Sequence, residues 1–300
     1  MTIQQLAYAS IGTPITRGGV SLFPVYIHQP SPWITTGPLA DVTIKECPQA
    51  TVPMLQARNA TEAMVLLVEG ETVVGGQQNR VLNVSVLLSA GTTTEIPVSC
   101  VEQGRWDRGS SFGRSATFAP RRVRREKNRS VADSVARGSG RQSDQGAVWS
   151  AVHHELARHD AANPTAALAG LDAAFDRDTR RRRAAEELAE LGPLPGQCGI
   201  VVSHGTRIVA ADVFANPELL AWHWPAIVRS HVLDAPDAIH GAPSVTRAVR
   251  FLHKFSEAAD KVTPGVGLGR EHHIANTKVV GQALVWNDTL IHASAFALAA

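Results

Sequence analysis

No stretch of this 300-residue chain approaches the roughly 18 uninterrupted apolar residues that a membrane-crossing helix requires. The first residues, Met1-Thr2-Ile3-Gln4-Gln5, lack the basic start and apolar run of a secretion signal. A cytoplasmic protein with no membrane partner is therefore expected. Cysteine is scarce: Cys47, Cys100 and Cys198 are too far apart for a disulfide framework or a zinc knuckle, so free thiols in a reducing compartment are expected. No acidic, histidine or cysteine grouping has metal-ligand spacing, and neither a metal nor a cofactor is expected. What the chain does have is 44% hydrophobic residues, enough for one large core or two ordinary ones.

The formal charge of +2 conceals an asymmetry. Residues 105–141 carry 11 Lys and Arg against 3 Asp and Glu, which leaves 18 against 24 in the rest. That stretch holds only Trp106, Phe112 and Phe118 as aromatics and no RNA- or DNA-binding signature, so nucleic acid is not an expected partner. With its Gly-Ser-Ser and Gly-Ser-Gly segments, the stretch 105–142 reads as a long, solvated basic loop.

Before that loop, residues 1–104 alternate short Val, Ile, Leu and Thr runs with Gly and Pro, the signature of antiparallel strands. Residues 65–68 and 72–74, joined by Glu69-Gly70-Glu71, read as a hairpin. After the loop, residues 143–300 read as mixed helices and hairpins. Ser143 is the expected cap of a helix running to about Arg158, and Asn163-Pro164 opens a helical segment closed by Gly192-Pro193. Further helices begin near Asn216-Pro217, with Pro225 kinking or ending the first, and at Ser244. The four arginines 180–183 must spread round most of a helical turn, which points to a solvated surface. Residues 199–214 and 281–296 echo each other at a constant offset of 82, each reading as strand, turn and strand. The turns fall at His204-Gly205 and Asn287-Asp288. The expected class is α+β, with a β-rich antiparallel N-terminal half followed by a mixed helix and β-hairpin C-terminal half.

Three tempting motifs fail on spacing or context. In His154-Glu155-Leu156-Ala157-Arg158-His159 the histidines are five apart, where a zinc protease needs four on one helix face. In Cys100-Val101-Glu102-Gln103-Gly104-Arg105 four residues separate Cys from Arg, one fewer than in a phosphatase-type phosphate loop. The glycine-rich stretch 264–269 has no convincing strand before it and no helix after it.

Two polar clusters remain, at residues 69–83 and 99–106. The first places Gln77, Gln78, Asn79 and Arg80 after two glycines between apolar runs, and Asn83 follows. The second offers a thiol, a carboxylate, an amide, a guanidinium and an indole within eight residues. Each residue type has a chemical use. Cys100 is a nucleophile if its thiolate is stabilised, and Glu102 an acid or base if desolvated. Arg80 and Arg105 suit a phosphate or carboxylate, and Trp106 suits a base or sugar. The competing reading is structural: these side chains cap strand ends and tie loops together, with Cys100 a small buried hydrophobe.

These residues also carry a family resemblance. Glu71, the run Gly76 to Asn83, the run Ile96 to Trp106, and Ser143, Asp144 and Gln145 with Trp149 resemble a bacterial and archaeal family, the ARG and rhodanese-phosphatase-superfamily-associated protein (ARPP-1) domain. Gln77 stands where that family tends to have Lys. The resemblance spans nearly the whole chain, from Gly12 to Phe296. Its name implies, by association, ADP-ribosylglycohydrolase-type partners and a small nucleotide-like ligand related to ADP-ribose or NAD. Two functions follow as expectations. One is an enzyme with Glu102, Glu71 and Cys100 as catalytic groups and Gln78, Asn79, Arg80, Asn83, Arg105, Trp106, Ser143, Asp144 and Gln145 binding the ligand. The other is a non-catalytic module that uses the same residues to bind.

Overall fold

The computed structural model describes residues 3–37, 40–107, 109–258 and 260–298. In chain order the first part holds α1 (Gln4–Ala7), β1 (Ser10–Ile11), β2 (Ile15–Arg17), β3 (Val20–Tyr26), β4 (Ile34–Thr35), β5 (Val42–Thr51), β6 (Met54–Asn59), β7 (Met64–Leu67), β8 (Glu71–Gly75), β9 (Arg80–Leu82), β10 (Val86–Leu88), β11 (Thr93–Cys100) and β12 (Ser111–Phe118). The second holds α2 (Arg121–Ala136), α3 (Gln145–Arg158), α4 (Gly170–Arg177), α5 (Thr179–Leu191), β13 (Gly199–His204), β14 (Arg207–Phe214), α6 (Pro217–Leu233), α7 (Val245–Ser256), β15 (Lys261–Pro264), β16 (Arg270–Ala275), β17 (Val279–Trp286) and β18 (Thr289–Ala297). The class is α+β, and no helix among the described residues is long and apolar enough to cross a membrane.

Period-two burial explains the large sheet, which runs β1-β3-β13-β14-β18-β17-β16-β15, with β2 added on β3. Along β13, Ile200 and Val202 join one apolar cluster while Val201 joins another, so the sheet is buried on both faces. Phe255 of α7 belongs to the second cluster, and Leu219 and Ile227 of α6 to the first. At ~1.5–3 kcal/mol for each such side chain, these faces anchor the fold. Strands β11-β6-β5-β12-β8-β9 close into a separate barrel around Ile44, Leu55, Val73, Leu82, Ile96 and Val98, and β10-β7-β4 form a small third sheet.

Several sequence expectations need correction. Residues 105–142 are not a solvated loop, since they contain β12 and the 16-residue helix α2. The buried stripe of α2 is Val123, Arg124, Lys127, Asn128, Val131 and Val135, and its charged members disguise the helical period. Nor do β7 and β8 form a hairpin, because β7 pairs with β10 and β4 while β8 pairs with β12 and β9. The turn between them opens around Arg124: at Gly70, with φ +88°, a β-carbon would lie 2.4 Å from the Arg124 Nε. Asp144, not Ser143, caps α3 by accepting from the Ala147 N–H at 3.0 Å. Asn163 opens a turn rather than a helix, accepting from the Ala167 N–H at 2.8 Å. Pro225 lies inside an uninterrupted α6.

Candidate functional site

The second half of the sequence-predicted cluster folds into a latch between α3 and β11. Gln145 brackets the backbone of Cys100, its Oε1 accepting from the N–H and its Nε2 donating to the C=O, both at 2.8 Å. The Ser99 hydroxyl donates to Asn83 Oδ1 and meets the Ser143 hydroxyl, each at 2.5 Å, and Asn83 Nδ2 donates to the Arg141 carbonyl at 2.9 Å. Asn83, Ser99 and Ser143 are thus joined in one hydrogen-bonded chain, and together with Gln145 on Cys100 and the Asp144 cap they order the start of α3.

Glu102 and Arg105 form a second knot. Glu102 Oε2 accepts from the Asn79 N–H at 3.1 Å and from Arg105 Nε at 2.9 Å, and Oε1 accepts from the Thr165 hydroxyl at 3.0 Å. Arg105 also donates to the Gly76 and Gly75 carbonyls, holding the glycine turn before Gln77. Burial opposes the charge on Glu102, but the bonds from Arg105, Asn79 and Thr165 outweigh it and hold the carboxyl below its ordinary range. For Cys100 the balance runs the other way. It is fully buried, and burial pushes its thiol up despite its contact with the Glu102 backbone and the nearby Arg80 charge.

Arg80 is different in kind. Its residue is 0% exposed, Nε donates to the Val52 carbonyl at 3.2 Å, and Nη1 donates to the Gln78 carbonyl at 2.7 Å and the Asn79 carbonyl at 3.4 Å, while Nη2 has no partner among the described residues. Among the described residues it makes no ion pair, although the charge of Glu46 acts on it, and burial pulls its pKa down. Two acceptors nearby are also left over: Gln78 Oε1, whose Nε2 donates to the Glu102 carbonyl at 2.9 Å, and Glu46 Oε2, whose other oxygen accepts from the Gln77 N–H at 2.8 Å. Above the guanidinium, 6.0 Å away, lies the Trp106 ring, with the residue 55% exposed. Gln78, Arg80, Glu102, Arg105 and Trp106 therefore come together at the end of the barrel around β9.

Glu71 stands apart from that group. Its carboxylate pairs with Arg114, lies 3.6 Å from His223 Nδ1, and accepts from the Val68 N–H at 2.8 Å. Burial works against its charge, but Arg114 and His223 outweigh it and keep the carboxyl below its usual range. Burial also pushes the imidazole of His223 down to about 4, so it is neutral at pH 7. All three residues line an open cleft that sequence reasoning missed. Arg114 is hidden in a basic run, and His223 has no motif around it.

A further group missed in sequence is fully buried. Glu69 pairs with Arg124 and Lys127, each at 2.8 Å, and accepts from Ser294 Oγ at 2.8 Å, while Arg124 also holds Asp212 at 2.6 Å. Two carboxylates balance two cations with almost every polar atom satisfied, which makes this a tie between barrel, α2 and sheet.

A closed six-stranded barrel packed beside a nine-stranded antiparallel sheet, with a polar cluster at the barrel end, defines the architecture. The chain belongs to the family described as the ARG and rhodanese-phosphatase-superfamily-associated protein domain, which it matches over residues 8–296 of 300. No curated protein and no solved structure matches it.

Proposed function

We propose that this chain binds a small ligand carrying both a phosphate and a flat ring at the barrel end, with an ADP-ribose-like nucleotide as the form that its family association favours. The observation that carries this reading is Arg80, a buried guanidinium with, among the described residues, a free Nη2 and no carboxylate in ion-pair contact. A buried charge without a counterion is costly, and a phosphate supplies that counterion in the geometry a guanidinium prefers. Gln78 Oε1 and Glu46 Oε2 then accept from ligand hydroxyl or amine groups, and Trp106 stacks on the ring after swinging off the guanidinium. Cys100, with its protonated thiol, and Glu102, tied to three donors, are assigned no chemical step, so the binding form is preferred to the enzymatic one. The partner in this reading is an ADP-ribosylglycohydrolase-type enzyme to which the module presents its ligand.

Titration calorimetry with ADP-ribose, NAD and inorganic phosphate, run beside product analysis of the same mixtures, tests this. Saturable binding of ADP-ribose without turnover is expected. Absence of binding overturns the reading, and turnover replaces the module with an enzyme.

A further inference from the structure

A second place on the molecule, separate from the barrel end, has the chemistry of a ligand site. It is the cleft of about 480 Å³, open to solvent, lined by Glu71, Arg114, Ser115, Trp222 and His223 along with Phe118. That size lies within the range of small-molecule sites. An irregularity in β12 shapes it. Arg114 pairs with Val73 but Phe118 pairs with Glu71, so the pairing slips by two residues, and Ser115 faces the cleft from inside this bulge.

Trp222 forms a platform. Gly37 has φ +65°, and a β-carbon there would come within 2.5 Å of the indole, so the ring rests against a glycine that leaves it room. The residue is nevertheless 46% exposed. An indole held on one side and free on the other is suited to stacking.

Charge selects the ligand class. Glu71 and Arg114 already neutralise each other, and His223 adds no charge at neutral pH. An anion would have to draw Arg114 from Glu71, and a cation would have to do the reverse. A neutral polyol need do neither, because its hydroxyls donate to lone pairs remaining on Glu71 and accept N–H groups that Arg114 still has free. Ser115 adds a hydroxyl to the lining, and His223 lines the cleft with its Nδ1 beside Glu71. We propose that this cleft binds a neutral sugar ring, whose C–H face stacks on Trp222 and whose hydroxyls bridge Glu71 and Arg114.

The test is saturation-transfer NMR and calorimetry on the full chain with D-ribose, D-glucose and N-acetylglucosamine, with choline chloride and inorganic phosphate as charged competitors. At least one sugar should bind saturably with millimolar affinity, and neither competitor should displace it. Trp222→Ala, at an exposed position, should weaken that binding at least tenfold with an unchanged melting temperature. Trp222→Phe should recover part of it. The proposal is overturned if no sugar saturates, if Trp222→Ala binds as tightly as the parent, or if choline or phosphate competes.

Discussion

Asp212 and Ser294 face each other as register partners across β14 and β18, and they occupy the same position in two hairpins 82 residues apart. The echo extends to detail. Gly199 pairs with Val213 as Gly281 pairs with Ala295, and both hairpins slip register at the same point, after Val202 in one and after Leu284 in the other. The two halves meet at their matching strands but differ at this position, so Asp212 and not Ser294 joins Glu69 in offering a charge to Arg124. Ser294 instead donates to Glu69.

That asymmetry gives a stability prediction. Asp212→Asn leaves Arg124 in a dry site with one carboxylate shared with Lys127, and should cost about 3–5 kcal/mol in urea denaturation, the usual penalty for breaking a buried pair. A loss under about 1 kcal/mol would mean that the network does not hold the layers together.

Acid should destabilise the protein early. Burial holds His204, His223 and His292 down at about 4, against an ordinary 6.5. Between those values the unfolded chain takes up protons that the folded chain refuses, so stability falls as pH drops from about 6.5 towards 4. Glu69 extends the loss below pH 4.5, because its carboxyl is held down to about 2 by Arg124 and Lys127 against the opposing effect of burial. Denaturation midpoints measured at half-unit steps should decline through pH 6 and 5. A flat profile from pH 7 to 5 would contradict the assignment of these histidines as buried and neutral.

At the barrel end, Arg80→Met separates function from structure. It removes an unpaired buried charge and three bonds to carbonyls, effects of opposite sign, so stability should move by no more than about 1 kcal/mol. Affinity for ADP-ribose should fall by at least tenfold. If the variant is strongly destabilised and still binds as the parent does, Arg80 is a strut and the ligand lies elsewhere.

Replacing Gln145 with Leu should strip both partners from the Cys100 backbone and cost about 1–3 kcal/mol. Hydrogen exchange is the sharper readout, since the Cys100 amide should exchange faster while amides in β17 stay protected. Unchanged exchange at Cys100 would show that β11 does not need the latch.

How much of this was legible in the sequence depended on how locally each feature is encoded. The hairpins around His204-Gly205 and Asn287-Asp288, and the helices capped by Asn216 and Ser244, rest on neighbouring residues and could be read directly. Helix α2 could not, because the carboxylates that make its buried Arg124 acceptable lie 55 and 88 residues away. Density of polar residues marked Gln78 to Arg80 and Ser99 to Trp106, but it carries no sign of direction. Only the fold shows that Gln145 turns inward onto Cys100, 45 residues away, while Arg80 keeps one nitrogen unspent. The cleft was beyond reach, since Glu71, Arg114 and His223 belong to three separate elements with no shared period.

The placement of α2 bears on how the molecule comes apart. Its Arg124 and Lys127 serve Glu69, at the foot of the barrel, and Asp212, in the sheet, at once. Neither half can loosen without stranding ions in a medium that cannot solvate them. Barrel and sheet should therefore melt as a single cooperative unit, with one transition in calorimetry and no stable half-folded species.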